Sequence, residues 1–430
     1  MRKNKVDIIT LGCSKNLVDS EQLMCQFKAN GYTVAYDPDK INGEIVIVNT
    51  CGFIGNAQEE SINMILDLEE AKRKGHIGKL FVMGCLSERF MQDLKHELPG
   101  VDRFYGKFNW KNILKDIGKS YYSGLTDDRL LSTPSHYAYL KIAEGCDRHC
   151  SYCSIPLITG KYKSRPMDEI ISEARSLAGK GVKELQIIAQ DLTYYGLDVY
   201  GRLALPELTE RLSDIPGIEW IRLHYGYPTH FPYDLLRVIR ERENVCNYLD
   251  IALQHVSDKV LSLMRRRITR RETYELIDRI RREAPGIHLR TTFMVGHPGE
   301  TEDDFNELTA FVEEMRFERM GAFAYSHEAG TYSYLHYKDD IPDEVKQRRL
   351  DALMNIQQSI AAEINETKVG KIMKTVIDRK EGDYYVGRTE FDSPEIDPEV
   401  LIKSGRRLRT GDFYKVLIEE ADFFELYAKV

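Results

Sequence analysis

From about residue 136 to about 330 the chain repeats an apolar run and an amphipathic stretch six times, and this rhythm restricts the fold more than any other feature. The runs are YAYLKIA, ELQIIAQ, EWIRLH, YLDIALQ, IHLRTTFMV and RMGAFAY. Between them lie helical patterns such as MDEIISEARSLAGKG and RETYELIDRIRREA, with apolar residues three and four apart. Near-continuous apolar strands separated by helices require a parallel sheet covered on its faces. Six such units predict a partial parallel barrel whose site lies at the carboxyl ends of its strands. A barrel left open on one side would admit a large substrate.

Residues 1–130 follow a related pattern. VDIITLG, EIVIVNT and KLFVMG read as buried strands, each followed by a helical stretch, which predicts a second parallel sheet. Each of these strands ends in a cysteine: Cys13, Cys51 and Cys85. Ligands of open parallel sheets bind at the carboxyl ends of the strands, so three cysteines remote in sequence could meet on one rim. Gly12, Gly52 and Gly84 beside them would let backbone crowd around a bulky inorganic core. The plainer alternative is that cysteine is simply a small core residue, and for Cys25 and Cys246 that reading is preferred. After a helical segment, residues 368–430 alternate short strands with Gly and Pro, as a small closed or partly closed barrel would. The fold class expected is therefore α/β, with an N-terminal parallel α/β domain (1–130), a central partial (β/α)6 barrel (136–365) and a C-terminal small β-barrel (368–430).

A length of 430 residues with 42% hydrophobic and 30% charged residues describes a globular chain of more than one domain. A net charge of −8 argues against a surface that grips nucleic acid throughout. Eight cysteines are too sparse for a disulfide scaffold and fit a reducing compartment. The apolar run in MRKNKVDIITLG is too short for a signal-peptide core, and no stretch approaches a membrane span. A cytoplasmic protein with no membrane association is the simplest expectation.

The loop after the first barrel strand, CDRHCSYC, holds Cys146, Cys150 and Cys153. Three thiolates so spaced can each hold one iron of a four-iron, four-sulfur cluster. No fourth cysteine is near, so one iron is left open to chelate a small molecule. A zinc knuckle using His149 or His136 as fourth ligand is the competing reading. It is the weaker one, because His149 is the immediate neighbour of Cys150 and structural zinc loops favour two C-x-x-C pairs.

The C-x-x-x-C-x-x-C spacing, with Tyr152 before the last cysteine, resembles the radical S-adenosylmethionine (SAM) enzymes. LGCSKN, VNTCGFI, MGCLSER, EGCDRHCSYCSIP, LQHVSDKVLSLMRR and GHPGETEDDF together resemble the methylthiotransferases of that superfamily, over essentially the whole chain. The resemblance implies two four-iron clusters and SAM as cofactors, and a C-terminal TRAM barrel. It implies that Cys146, Cys150 and Cys153 hold the SAM-cleaving cluster, and that Cys13, Cys51 and Cys85 hold a second one that delivers sulfur. Tyr152, Gln190, Asp191, Gln254 and Arg290, with His255, are candidate contacts to SAM or substrate. Ordinary hydrogen-bonded barrel-core groups are an equal alternative for the polar ones. VGHPGE could pass its backbone near SAM. A flavodoxin- or ferredoxin-type electron donor and a monomeric state follow from the same likeness.

Two branches of the family differ in substrate. One methylthiolates a modified adenosine beside the tRNA anticodon; the other, RimO-type, acts on an aspartate β-carbon in the twelfth protein of the small ribosomal subunit. Residues 368–430 carry 12 Lys and Arg against 13 Asp and Glu, whereas an RNA-binding barrel should be basic. GRTEFDSPEIDPEV concentrates Glu390, Asp392, Glu395, Asp397 and Glu399, which should attract a basic protein. It also resembles the RimO-type pattern. Ribosomal-protein modification is therefore expected. A tRNA enzyme gripping RNA through MRRRITRR is the alternative, and a non-enzymatic iron–sulfur or nucleic-acid docking protein is the alternative from another class.

Overall fold

The computed structural model describes residues 1–125 and 128–430. Its first sheet is parallel, in the order β2-β1-β3-β4-β5, from β1 (Arg2–Thr10), β2 (Thr33–Tyr36), β3 (Gly43–Thr50), β4 (Lys79–Gly84) and β5 (Arg103–Phe104). Neighbouring residues of one strand enter opposite cores, as a period of two requires. Ile8, Ile45 and Ile47 pack with Leu23 and Phe27 on one face; Ile9, Val46 and Val48 pack with Ile65 and Leu80 on the other. The apolar runs at β1, β3 and β4 are the central strands. The edge strands β2 and β5 are short and partly exposed, and carry no such run.

The second sheet has six parallel strands in the order β13-β12-β11-β10-β9-β6, an open barrel. Its members are β6 (Tyr137–Lys141), β9 (Glu184–Ile188), β10 (Trp220–Gly226), β11 (Val245–Gln254), β12 (His288–Val295) and β13 (Arg319–Ala324). A small antiparallel hairpin, β7 (Ala143–Glu144) with β8 (Lys163–Ser164), brackets the Cys146–Cys153 loop. Leu140, Ile187, Leu223, Ile251 and Phe293 point outward into one core with the surrounding helices. Their alternates Gln186, His224 and Asp250 are buried polar groups, and His224 Nε2 lies 2.6 Å from Gln186 Oε1. The third sheet is a closed five-stranded barrel of β14 (Ile372–Glu381), β15 (Tyr384–Thr389), β16 (Glu399–Lys403), β17 (Phe413–Ala421) and β18 (Glu425–Lys429), filled by Ile377, Val400, Ile402, Val416 and Ile418.

The closed barrel plugs the end of the open one at which the strands begin. Glu184, first residue of β9, takes Arg388 Nη2 at 2.8 Å and Arg222 at 3.0 Å, all three buried. Arg319 of β13 pairs with Asp392 at 2.5 Å, Tyr248 of β11 donates to Asp397 at 3.0 Å, and the His288 ring stacks on Phe391 at 3.9 Å. This corrects the expectation for the acidic loop. Its carboxylates do not stand free for a basic partner: Asp392 and Asp397 are buried, Glu395 accepts from Tyr137, and Glu399 holds Arg379. Buried charge has to be paired, and the partners are arginines at the starts of the barrel strands.

The N-terminal domain covers the opposite end. Glu328 binds Arg89 at 2.9 Å and also accepts from Gly55 N and Gln58. Asp19 holds Lys107 of its own domain and Lys141 of β6. The barrel mouth is thus capped by the domain that carries the spread cysteines. No described helix is long and apolar enough to cross a membrane.

Candidate active site

Cys13, Cys51 and Cys85 follow β1, β3 and β4, which are neighbours in the sheet, so the in-register strands deliver them to one rim. Backbone crowding there is severe. Gly12 has φ +91°, and a Cβ on it would stand 2.8 Å from Cys51 Cβ and 3.1 Å from its sulfur. A Cβ on Gly52 would meet the Leu86 backbone at 2.6 Å. Only glycine fits either position. Asn16 ties the loops together: its amide donates to Leu11 O at 3.1 Å and Thr50 O at 3.0 Å, while Oδ1 faces Cys85 Sγ at 3.5 Å.

The thiols lie close enough to sense each other. Burial pushes Cys85 up to about 12, with Lys107 opposing and the charges of Cys13 and Cys51 adding. Burial likewise raises Cys51. At Cys13 burial acts upward too, but Lys15 and Lys107 outweigh it and hold this thiol below its ordinary range. Cys13 is exposed at its surface yet burdened by surrounding protein, which describes a group lining a recess.

Cys146, Cys150 and Cys153 lie in one tight turn at the carboxyl end of the barrel. Cys153 N bonds to Cys150 O at 3.2 Å, Cys146 N to Gly160 O at 3.2 Å, and Ser151 N to Met264 O at 3.0 Å. His149, at φ +53°, takes the left-handed backbone and is exposed. Burial pushes Cys146 up to about 12 and Cys153 up as well. Arg266 points Nη1 at Cys150 Sγ from 3.4 Å, and the Tyr227 hydroxyl lies 3.6 Å from the same sulfur.

The two cysteine loops abut. Ser154, next to Cys153, donates to the carbonyl of Phe53, two residues past Cys51, at 3.1 Å. Lys15, two residues past Cys13, reaches the barrel rim at Ala189 O and the Tyr225 ring. Among the described residues no three His, Cys, Asp or Glu side chains are gathered around a single ion's position. Zinc would draw its ligands to about 2.3 Å from one centre. A larger core, with one thiolate per iron, suits both cysteine triads better. His136 is also withdrawn from the loop, since its Nε2 binds Asp378 at 2.7 Å.

The remaining candidates divide. Tyr152 packs against Val260, Met264 and Met294, with Arg266 Nη1 3.5 Å from its hydroxyl. Asp191 holds Arg148 Nε at 2.6 Å and caps the turn at Thr193. Gln190 donates to Glu144 at 3.1 Å. Gln254 stands at the end of β11 at φ +73° with its amide oxygen buried and unpartnered, which suits a ligand-facing group. His255 Nδ1 accepts from Ser257 N at 3.0 Å. The VGHPGE segment folds on itself, Glu300 accepting from Gly296 N at 2.7 Å and held by Arg349. Arg290 is not brought to the rim: it sits near the start of β12 and binds Asp397 of the plug. Cys246 packs with Trp220, Tyr248 and Val376 as a core residue. Of MRRRITRR, Arg266 is buried at the site, Arg270 pairs with Glu307 and Arg271 with Glu275. Sequence reasoning missed Lys15, Tyr227, Arg266 and Glu328; the lysine beside Cys13 was the readable signal.

Comparison with known proteins decides the family. The Radical SAM superfamily model matches residues 140–312, the Uncharacterized protein family UPF0004 model residues 5–106, and the TRAM domain model residues 369–430. A Parabacteroides distasonis protein named ribosomal protein uS12 methylthiotransferase RimO is 71% identical over 430 residues, all of both chains. The chain belongs to the RimO methylthiotransferase family. Relatives of the same name from Phocaeicola vulgatus (63% identical, all of both chains) and Flavobacterium johnsoniae (52%, all of this chain and 98% of that one) agree. Membership makes the chain a radical SAM transferase. The fold is also that of the radical SAM methyltransferase TsrM from Kitasatospora setae, at TM-score 0.54 and 13% identity, covering 75% of each chain. OxsB, a cobalamin-dependent SAM radical enzyme, matches at TM-score 0.52 and 12% identity, over 83% of this chain and 56% of its own.

Proposed function

We propose that this chain adds a methylthio group to the β-carbon of an aspartate in ribosomal protein uS12. Cys146, Cys150 and Cys153 hold one four-iron cluster, and Cys13, Cys51 and Cys85 the other. The observation that carries the reading is the contact of the two cysteine loops at Ser154 and Phe53. When bound, the clusters and SAM supply a hydrogen-abstracting radical and the sulfur that replaces the hydrogen.

The chain's own residues supply the enclosure. Glu328 clamps the cap through Arg89, Gly55 and Gln58, and the plug closes the far end at Glu184 and Arg388. An enclosed site keeps water and stray donors from a reactive radical. Arg266 places a donor beside Cys150, which stabilises negative charge on its sulfur, while the Tyr227 hydroxyl packs against the same sulfur and donates to Arg266 O at 3.0 Å. The enzyme works as a cytoplasmic monomer and draws electrons from a flavodoxin- or ferredoxin-type donor.

Mass spectrometry tests the substrate. Anaerobically reconstituted enzyme is given SAM, reductant and either uS12 or tRNA. A methylthio mass on a uS12 aspartate, with tRNA unchanged, supports the proposal; the reverse overturns it.

A further inference from the structure

Lys15 stands out among the charged groups of the chamber. It is only 9% exposed. Its ammonium lies 3.4 Å from Ala189 O and 3.9 Å above the centre of the Tyr225 ring. It makes no ion pair with any described carboxylate. The neighbouring lysines do otherwise: Lys107 and Lys141 share Asp19, and Lys141 also takes Glu144. The barrel carboxylate of Asp250 accepts from Tyr225 N at 3.1 Å and forms no ion pair with Lys15.

Cys13 and Asp250 feel the charge of Lys15, but no described carboxylate touches it, and a ligand carboxylate that did would offset the cost of burying the ammonium. The position says which ligand. Lys15 leaves the N-terminal domain two residues after Cys13 and ends over the strand ends of β9 and β10. Ala189 and Tyr225, which seat the ammonium, are on that rim. A side-chain carboxylate is bonded directly to the β-carbon of an aspartate. A cation that fixes the carboxylate there therefore fixes the reacting carbon one bond away.

On the reading of function above, we propose that Lys15 is the cation that selects the substrate aspartate by its β-carboxylate and orients its β-carbon. Lys15 binds substrate and takes no proton or electron in the reaction. Asparagine, isosteric but neutral, lacks the charge that Lys15 requires.

The test compares uS12 carrying aspartate with uS12 carrying asparagine at the modified position. Each is assayed with reconstituted wild type, Lys15→Gln and Lys15→Arg. Iron content confirms equal loading, and fluorescence anisotropy gives the affinity for both forms alongside kcat/KM. Wild type should prefer aspartate by about 10- to 100-fold, the loss expected when one charge-assisted hydrogen bond is removed. Lys15→Gln should bring that preference near unity by slowing the aspartate form, and Lys15→Arg should restore part of it. Equal losses on both forms, or an unchanged preference, overturn the assignment; so does a change in SAM affinity with preference retained. If wild type leaves uS12 unmodified, the functional reading itself fails. If wild type modifies it and Lys15→Gln discriminates as before, only this inference fails.

Discussion

Ser154 Oγ donates to the carbonyl of Phe53 across 3.1 Å, so a residue beside one cysteine triad is bonded to the loop that carries a member of the other. The two loops belong to different domains and lie about 100 positions apart in sequence. Their contact is made possible by the cap, whose strand-end loops face the carboxyl ends of the barrel strands. Both sheets thus present the same kind of edge to a common space.

Removing that contact should loosen the coupling between the two halves of the reaction. Ser154→Ala forfeits a net of about 1 kcal/mol, too little to unfold the protein. Iron content is expected to stay at the wild-type level, while SAM consumed per methylthio product rises several-fold. An unchanged ratio would mean that the loops are held in place by other contacts.

Arg388→Ala should be among the most destabilising changes in the C-terminal barrel. It strands Glu184, which is fully buried and keeps only Arg222 as partner. Breaking a buried pair costs about 3–5 kcal/mol. Urea unfolding should show the loss. A loss below about 1 kcal/mol would mean that the network contributes no more than a surface pair.

The same network predicts an acid limit. Asp378 is raised by burial but lowered more by Arg388 and His136, and ends at about 2 against an ordinary 3.8. Glu184, buried beside Arg388 and Arg222, is also held below its usual value. A carboxylate with a depressed folded pKa stabilises fully above its unfolded pKa and loses that contribution as pH falls through the folded one. For Asp378 this is about 2 kcal/mol, present above about pH 4 and lost toward pH 2. Stability measured from pH 5 to pH 2 should fall on this account, and less steeply in Arg388→Ala. Equal slopes in both proteins would assign the acid sensitivity elsewhere.

The framework was legible because its signals are local. Ile45 to Val48 and Leu80 to Val82 are buried on both faces, so their apolar runs announce central parallel strands, and the six barrel strands were readable in the same way. What escaped depends on partners far along the chain. Arg290, Asp392 and Asp397 read as site or surface charges because nothing near them in sequence shows that they pair across more than 70 residues. A clue existed: Arg222 interrupts an apolar strand and Glu184 and Arg319 begin theirs, and charge buried with such a run demands a partner. The loop pattern GR-x-x-x-D-x-PEID pointed to the correct branch of the family for a different physical reason, since its Arg388, Asp392 and Asp397 are buried and seat the plug.

The central claim is that two clusters, one on each cysteine triad, share one chamber. Electron paramagnetic resonance of the dithionite-reduced, reconstituted protein tests it most directly, with Cys51→Ala as the control. The account predicts spin–spin coupling between two reduced clusters in the wild type, and a single uncoupled signal in Cys51→Ala with no methylthio product. Two magnetically isolated clusters in the wild type, or an identical spectrum and full product formation in Cys51→Ala, would contradict it.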